Sequence, residues 1–324
     1  MLTGNESARD ALAAAMASGA LHHAWLIAGP EGVGKGAFAR AAAARMLAEA
    51  SEPHRLSPGW DVPETTQTAH LIAAGAHPDY RALVRLPKDA AKPDEALARS
   101  ITIAQVRSLQ PLFATKPSLS SRRVIVIDSI DDLERGGANA LLKNLEEPPA
   151  GTIFLLVSHA PGQLLPTIRS RCRLLRFEAL ASDQVAGILR AELPEASASE
   201  IDALVRAGEG SPGRALGFAG LDLAALEGDM AVLAQTGDPS NAVRSRLAKL
   251  LGPKAAQPRY EAFLHRAPSF IAEQARTRSG EGLRVALDAY AAARELVGGA
   301  TGLSLDAGAT VFEMSGLIAR LSPR

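Results

Sequence analysis

The chain has 324 residues, which is too long for one ordinary hydrophobic core and favours two or three domains. Its 47% hydrophobic and 22% charged residues are typical of a globular protein, and its 35 basic and 35 acidic residues leave no net charge, which argues against a general basic coat for nucleic acid. The one cysteine, Cys172, excludes a disulfide within the chain and favours a reducing compartment. Because no apolar run has the form of a signal peptide or a membrane span, we expect a cytoplasmic protein.

A glycine-rich segment, residues 29–36, lies between the short apolar run Ala24–Ala28 and a helical pattern over residues 37–50. It reads Gly-Pro-Glu-Gly-Val-Gly-Lys-Gly and matches the phosphate-binding loop G-x-x-x-x-G-K-[ST] except at its last position. In such a loop the glycines let backbone N–H groups close around phosphate oxygens, and the lysine reaches the terminal phosphates. Gly36 occupies the position of the hydroxyl that holds Mg²⁺. The order of strand, loop and helix favours a degenerate nucleotide site over an ordinary glycine turn, with these loop residues: Gly29, Gly32, Gly34, Lys35 and Gly36.

Two further apolar runs predict strands that are buried on both faces, as in a parallel sheet: Arg123–Asp128 and Thr152–Ser158. Functional groups of α/β sheets lie at the carboxyl ends of strands. We therefore interpret Asp128 as a Mg²⁺-binding aspartate rather than a strand cap. Ser158 ends the second run, as a nucleotide-sensing residue would.

The residue after Asp128 is Ser129, whereas active ATPases of this kind carry a glutamate there to orient the attacking water. Loss of a general base typically costs about 10²–10⁴ in rate. Asp131 and Asp132 are displaced along the chain, and we interpret them as the solvated start of a helix. The sequence thus predicts that hydrolysis at this chain's own site is impaired.

Four arginines lie within eight residues of a chain that has no net charge: Arg169, Arg171, Arg173 and Arg176. Three interpretations are open: a solvated basic face, a patch for nucleic acid, or an arginine offered to a phosphate on a neighbouring subunit. The planar fork of arginine suits the third, because it binds phosphate oxygens at two points.

After Phe177 the pattern is helical to the end of the sequence. The last predicted helices cover residues 241–251, 260–276, 283–296 and 307–321. No metal-ligand spacing is evident in this part.

The order of several motifs resembles the bacterial clamp-loader AAA+ family: the phosphate loop, His77–Asp79, Val124–Asp128, Asn139–Pro149 and Leu164–Cys172. These motifs span roughly the first half of the chain. The resemblance implies three domains, which are a RecA-like α/β AAA+ domain, a small helical lid and an all-α C-terminal collar that joins five subunits in a ring. Their expected ranges are 1–178, 179–220 and 221–324.

The same resemblance implies a subunit that helps to load the sliding clamp of DNA polymerase III onto primed DNA, with gamma or tau and delta subunits as partners. The Ser-Arg-Cys motif implies that Arg171 is an arginine finger directed at the ATP of an adjacent gamma or tau subunit, and Arg214 matches the second sensor position. An arginine supplied in trans is worth about 10³–10⁵ in rate. Gly36 and Ser129 depart from the motor subunits and favour a non-motor, stator-like member. The alternative is a catalytically competent AAA+ ATPase, either a gamma/tau-type motor or a branch-migration helicase.

Many members of this family carry four cysteines between the phosphate loop and the His-Pro-Asp segment. The corresponding residues here, Ser51–Ala76, contain none, and His54 and His70 alone do not make a closed tetrahedral site. We therefore expect no zinc. Because Lys35 is present while the hydroxyl of position 36 is missing, we expect weak binding of ATP or ADP at best.

Overall fold

A computed structural model describes residues 2–89, 91, 97–303 and 305–323 of the chain. The chain divides into two compact units, Met1–Gln184 and Val185–Arg324. The division of the helical part into a lid and a collar near residue 220 stays a prediction.

The first unit is built on a parallel sheet, which has five strands in the described part of the chain: β1 (Ala24–Ala28), β2 (Tyr80–Val84), β3 (Arg123–Asp128), β4 (Thr152–Ser158) and β5 (Arg173–Arg176). Their order across the sheet is β2-β3-β4-β1-β5. The register pairs Ala28 with Ser158 and Asp128 with Val157, so the carboxyl ends of these strands lie along one edge. The predicted α/β fold class is thereby confirmed.

Helices cover both faces of this sheet: α1 (Glu6–Ala17), α2 (Lys35–Ser51), α3 (Gln67–Ala73), α4 (Ile103–Arg107), α5 (Gln110–Phe113), α6 (Arg135–Glu146) and α7 (Pro166–Arg169). Phe38 of α2 belongs to the buried cluster that contains Trp25 of β1, and Leu141 of α6 belongs to the cluster on the opposite face that contains Leu26. Two covered faces explain why the central strands are continuous apolar runs rather than alternating ones.

The described residues of the second unit are helical: α8 (Ser182–Glu192, which begins in the first unit), α9 (Ala198–Gly208), α10 (Pro212–Gly217), α11 (Leu223–Thr236), α12 (Ala242–Leu251), α13 (Gln257–Arg276), α14 (Gly280–Leu303) and α15 (Ala307–Ala319). The buried Arg266 guanidinium is paired, with Nε 2.7 Å from Glu227 and Nη2 2.8 Å from Glu273. The predicted all-helical C-terminal part is confirmed.

Candidate functional site

The glycine-rich loop connects β1 to α2 at the carboxyl edge of the sheet, where the sequence predicts it. Its first residue, Gly29, donates a backbone hydrogen bond to Ser158 at 3.2 Å. A Cβ added to Gly29 would overlap the carbonyl oxygen of Phe177 and lie 2.8 Å from its carbonyl carbon. Only glycine therefore allows the loop to approach the end of β5 this closely.

Lys35 begins α2 and is buried, with 2% of its surface exposed. Its ammonium group donates to two carbonyl oxygens of its own loop, those of Gly29 at 2.7 Å and Pro30 at 2.5 Å. Burial lowers the pKa of Lys35 to about 8, although Asp128 and Asp131 act in the opposite direction. The lysine is thus satisfied by the loop itself.

Gly36 is more than a position that lacks a hydroxyl. A Cβ at residue 36 would overlap Oδ2 of Asp128 and lie 3.0 Å from its Cγ, so the aspartate side chain fills the space in which a serine or threonine would stand. The same Oδ2 accepts a hydrogen bond from Nη1 of Arg40, one turn along α2, at 3.0 Å. Of the two groups that would hold Mg²⁺, the hydroxyl at position 36 is therefore absent, and the Asp128 carboxylate is already paired with a cation. This arrangement does not fit a magnesium-bound nucleotide.

Ser158, which the sequence predicts as a nucleotide-sensing residue, also has a hydrogen-bond partner within the chain. Asp131 accepts three hydrogen bonds from the end of β4, from Ser158 Oγ at 2.8 Å, His159 N at 2.6 Å and Ala160 N at 3.3 Å. The interpretation of Asp131 and its neighbour as a solvated helix start is wrong about their solvation, because both side chains are partly buried and accept hydrogen bonds. They lie in a short 3-10 helix, Ile130–Asp132, and α6 begins only at Arg135.

Ser129 is buried, and its hydroxyl donates to Oδ2 of Asp132 at 3.2 Å. The same Oδ2 lies 3.2 Å from Nε of Arg85. The residue after β3 thus has a structural partner and offers no carboxylate that could orient a water molecule.

Arg171 follows α7 and is held at two of its nitrogens. Its Nη1 donates to the Thr167 carbonyl at 2.8 Å and to Ser170 Oγ at 3.3 Å, and its Nη2 lies 2.7 Å from Oε1 of Glu146. A third of the side chain stays exposed. The Arg171 side chain therefore has partners within the chain and is still partly exposed.

The other arginines of the cluster differ from Arg171. Arg169, Arg173 and Arg176 are exposed, and none of them has an ion pair within the described ranges. Arg169 and Arg176 line a cleft of about 640 Å³ beside the edge strand β5, together with Leu174 and Cys172. Burial raises the pKa of the Cys172 thiol to about 12, so this thiol stays protonated at neutral pH.

Arg214, the second sensor candidate, lies in the second unit, in the short helix α10. Its Nη1 donates to Oε2 of Glu209 at 3.2 Å, and the other oxygen of Glu209 accepts from the Ser269 hydroxyl. The structure thus brings the loop, Asp128 and Ser158 together in the first unit, whereas Arg214 is paired within the second.

The His-Pro-Asp motif has a structural role that we did not predict from the sequence. Asp79 is buried and accepts hydrogen bonds at 2.8 Å from the backbone of Ser118 and Leu119, and it lies 3.5 Å from the buried guanidinium of Arg123. This network anchors the loop that leads into β3. A signal was available in the sequence, because a charged residue that begins a strand buried on both faces requires a partner.

The segment Ser51–Ala76 is organised by side chains. Arg45 donates to the carbonyls of Ser57 at 2.7 Å and Asp61 at 3.3 Å, and Trp60 packs edge-on against Phe38 with ring centroids 5.0 Å apart.

Across the chain, the described residues include no group of three or more His, Cys, Asp or Glu side chains that could hold a metal ion. Nor is any described helix both long and apolar enough to cross a membrane.

Residues 4–181 match the family model described as "DNA polymerase III, delta subunit". The DNA polymerase III subunit delta′ of Pseudomonas aeruginosa is 36% identical over 190 residues, which are 59% of this chain and 53% of that protein. The delta′ subunit of Escherichia coli is 32% identical over 207 residues, 64% of this chain and 57% of its own length. The matched region thus spans little more than half the length of these curated relatives.

Among solved structures, a DNA polymerase III gamma subunit-related protein from Thermotoga maritima aligns over 95% of this chain and 98% of its own. The sequence identity is 14% and the TM-score is 0.48.

Proposed function

The chain belongs to the DNA polymerase III delta-subunit family, and from this premise we propose that it is a non-motor, delta′-like subunit of the clamp loader. It supports loading of the sliding clamp without hydrolysing its own ATP. The observation that carries this proposal is the overlap between a Cβ at position 36 and the Asp128 carboxylate, which is itself paired with Arg40. A motor subunit needs both of these positions for Mg²⁺.

We propose further that Arg171 is an arginine finger for an ATP held by an adjacent gamma or tau subunit. A third of its side chain is exposed, and none of its partners is shared with Lys35, Asp128 or Ser158. Charge develops on the transferred phosphoryl group in the transition state, and a guanidinium there stabilises it through two parallel hydrogen bonds. The partners on this proposal are gamma or tau and delta subunits, with the clamp and primed DNA reached through the complex in the cytoplasm.

The test compares loaders assembled with the cognate subunits and either the wild-type chain, Arg171→Ala or Arg173→Ala. Arg173 is the matched control, because it is an exposed arginine of the same cluster and has no ion pair in the described part of the chain. We expect Arg171→Ala to slow hydrolysis at the neighbouring site by about 10³-fold or more and Arg173→Ala to leave it unchanged. Equal rates for all three loaders would refute the finger.

The alternative function, a competent AAA+ ATPase, is supported by the retention of Lys35 and Asp128. It predicts steady Mg-ATP turnover by the purified chain that Lys35→Ala abolishes. Absence of turnover by the isolated wild-type chain favours the non-motor subunit.

A further inference from the structure

The guanidinium of Arg171 lies beside the carboxylate of the last residue of α6. Glu146 is the last residue of this helix, and its Oε1 is 2.7 Å from Nη2 of Arg171. The carbonyl end of a helix carries partial negative charge, which favours a cation there. Glu146 thus attracts the Arg171 guanidinium, and its place in the chain puts the pair at this end of α6.

The contacts of Arg171 use two nitrogens of its guanidinium and leave the third without a partner among the described residues. Nη1 uses its hydrogens on the Thr167 carbonyl and on Ser170 Oγ, while Nη2 faces Glu146. Nε has no hydrogen-bond acceptor among the described residues, so the Nε side of the fork stays available to phosphate oxygens. A fixed guanidinium loses less conformational freedom when it binds than a freely rotating one does.

This geometry singles out one member of a cluster whose four arginines are alike in sequence. Within the described part of the chain, Arg171 has a carboxylate partner, whereas Arg169, Arg173 and Arg176 have none. If the cluster served only as a solvated basic face, there would be no reason for one arginine to have a carboxylate partner. A need to orient one guanidinium explains the difference.

We propose that Glu146 is a positioning residue, which holds the Arg171 fork in the orientation that meets the terminal phosphate of a nucleotide on a neighbouring subunit. This inference rests on the proposed role of Arg171. The effect of Glu146 is exerted through Arg171, since the carboxylate itself would repel a phosphate.

The test is single-turnover ATP hydrolysis by the complete loader, with cognate subunits, clamp and primed DNA, for Glu146→Gln and Glu147→Gln. Glu147 is the matched control, because it is the next residue, is exposed, carries the same charge and has no cation partner within the described ranges. We expect Glu146→Gln to lower the rate constant at the neighbouring site about three- to fivefold, as for loss of an exposed ion pair, with the ATP concentration at half-maximal rate unchanged. Glu147→Gln should leave both values at the wild-type level, and Glu146→Asp should recover part of the rate.

A double-variant comparison separates positioning from a structural effect. In the Arg171→Ala background, Glu146→Gln should have no further effect on the rate, because the group it acts through is gone. Equal rates for Glu146→Gln and Glu147→Gln, or a faster rate for Glu146→Gln, would overturn the positioning role while Arg171→Ala still slows hydrolysis. If Arg171→Ala itself has no effect, the proposed finger fails instead.

Discussion

Replacing Gly36 by serine would complete the phosphate-loop pattern in the sequence, yet we expect it to harm the protein rather than restore its chemistry. The new Cβ would overlap Oδ2 of Asp128, so the carboxylate must rotate, and we expect its ion pair with Arg40 to break. The hydroxyl would thereby displace the other Mg²⁺ ligand from its present position. We predict no gain of Mg-ATP hydrolysis.

The magnitude follows from the groups that move. The side chains of Arg40 and Asp128 are 54% and 21% exposed, so their ion pair is worth roughly 0.2–1 kcal/mol. An unfavourable aspartate rotamer costs about 0.5–1.5 kcal/mol. Serine in place of glycine within a helix offsets about 0.5 kcal/mol. The net loss is about 1 kcal/mol, or roughly 2–4 °C in melting temperature for a unit of this size.

Thermal and urea unfolding of the full chain measure this loss. Gly187→Ser is the propensity control, since Gly187 lies within α8 and a Cβ there would meet nothing within 4 Å. It should be neutral or slightly stabilising. In the Asp128→Ala background the cost of Gly36→Ser should disappear, because the overlapping carboxylate is gone. If Gly36→Ser is as stable as the wild type in both backgrounds, or if it hydrolyses Mg-ATP, the reasoning is refuted.

Two further predictions concern buried charges. Because the pKa of Lys35 is about 8 in the folded chain and about 10.5 ordinarily, the unfolded chain binds more protons between these values. The free energy of unfolding of the wild type should therefore gain a favourable contribution as pH rises from 8 to 10, and Lys35→Met should lack this contribution. If the urea midpoints of both proteins change by the same amount between pH 7.5 and pH 10, the prediction is contradicted. Asp79→Ala should cost about 3–5 kcal/mol in urea unfolding, since it leaves the Arg123 guanidinium buried without its carboxylate; a loss below about 1 kcal/mol would show that the pair is not structural.

The sequence predicts the central strands well and misses the outer ones. β1, β3 and β4 are continuous apolar runs because helices cover both faces of the sheet there. β2 and β5 are the edge strands, and most of their side chains are partly or fully exposed. Their weak hydrophobic pattern gave no basis for predicting a strand.

Some features of the candidate site could be predicted from the sequence, and others could not. The loop, Asp128 and Ser158 are recognisable because each sits at a fixed place relative to a strand, and the sheet register brings them to one edge. The pairing of Arg40 with Asp128 joins residues 88 positions apart, so no local pattern could indicate it. The role of Asp131 was missed for the same reason, because its partners lie at the end of a neighbouring strand.

By itself, the sequence determined the α/β class, the position of the degenerate loop and the family resemblance, since these depend on local periodicity and on motif order. Only the tertiary structure decided what the candidate groups contact. It shows that the Asp128 carboxylate fills the space in which a side chain at position 36 would stand. It also distinguishes Arg171 from the other arginines of its cluster, because Glu146 lies beside Arg171 alone in the described part of the chain. The physical reason is that the contacts of a charged side chain depend on which distant segments the fold brings within hydrogen-bond distance.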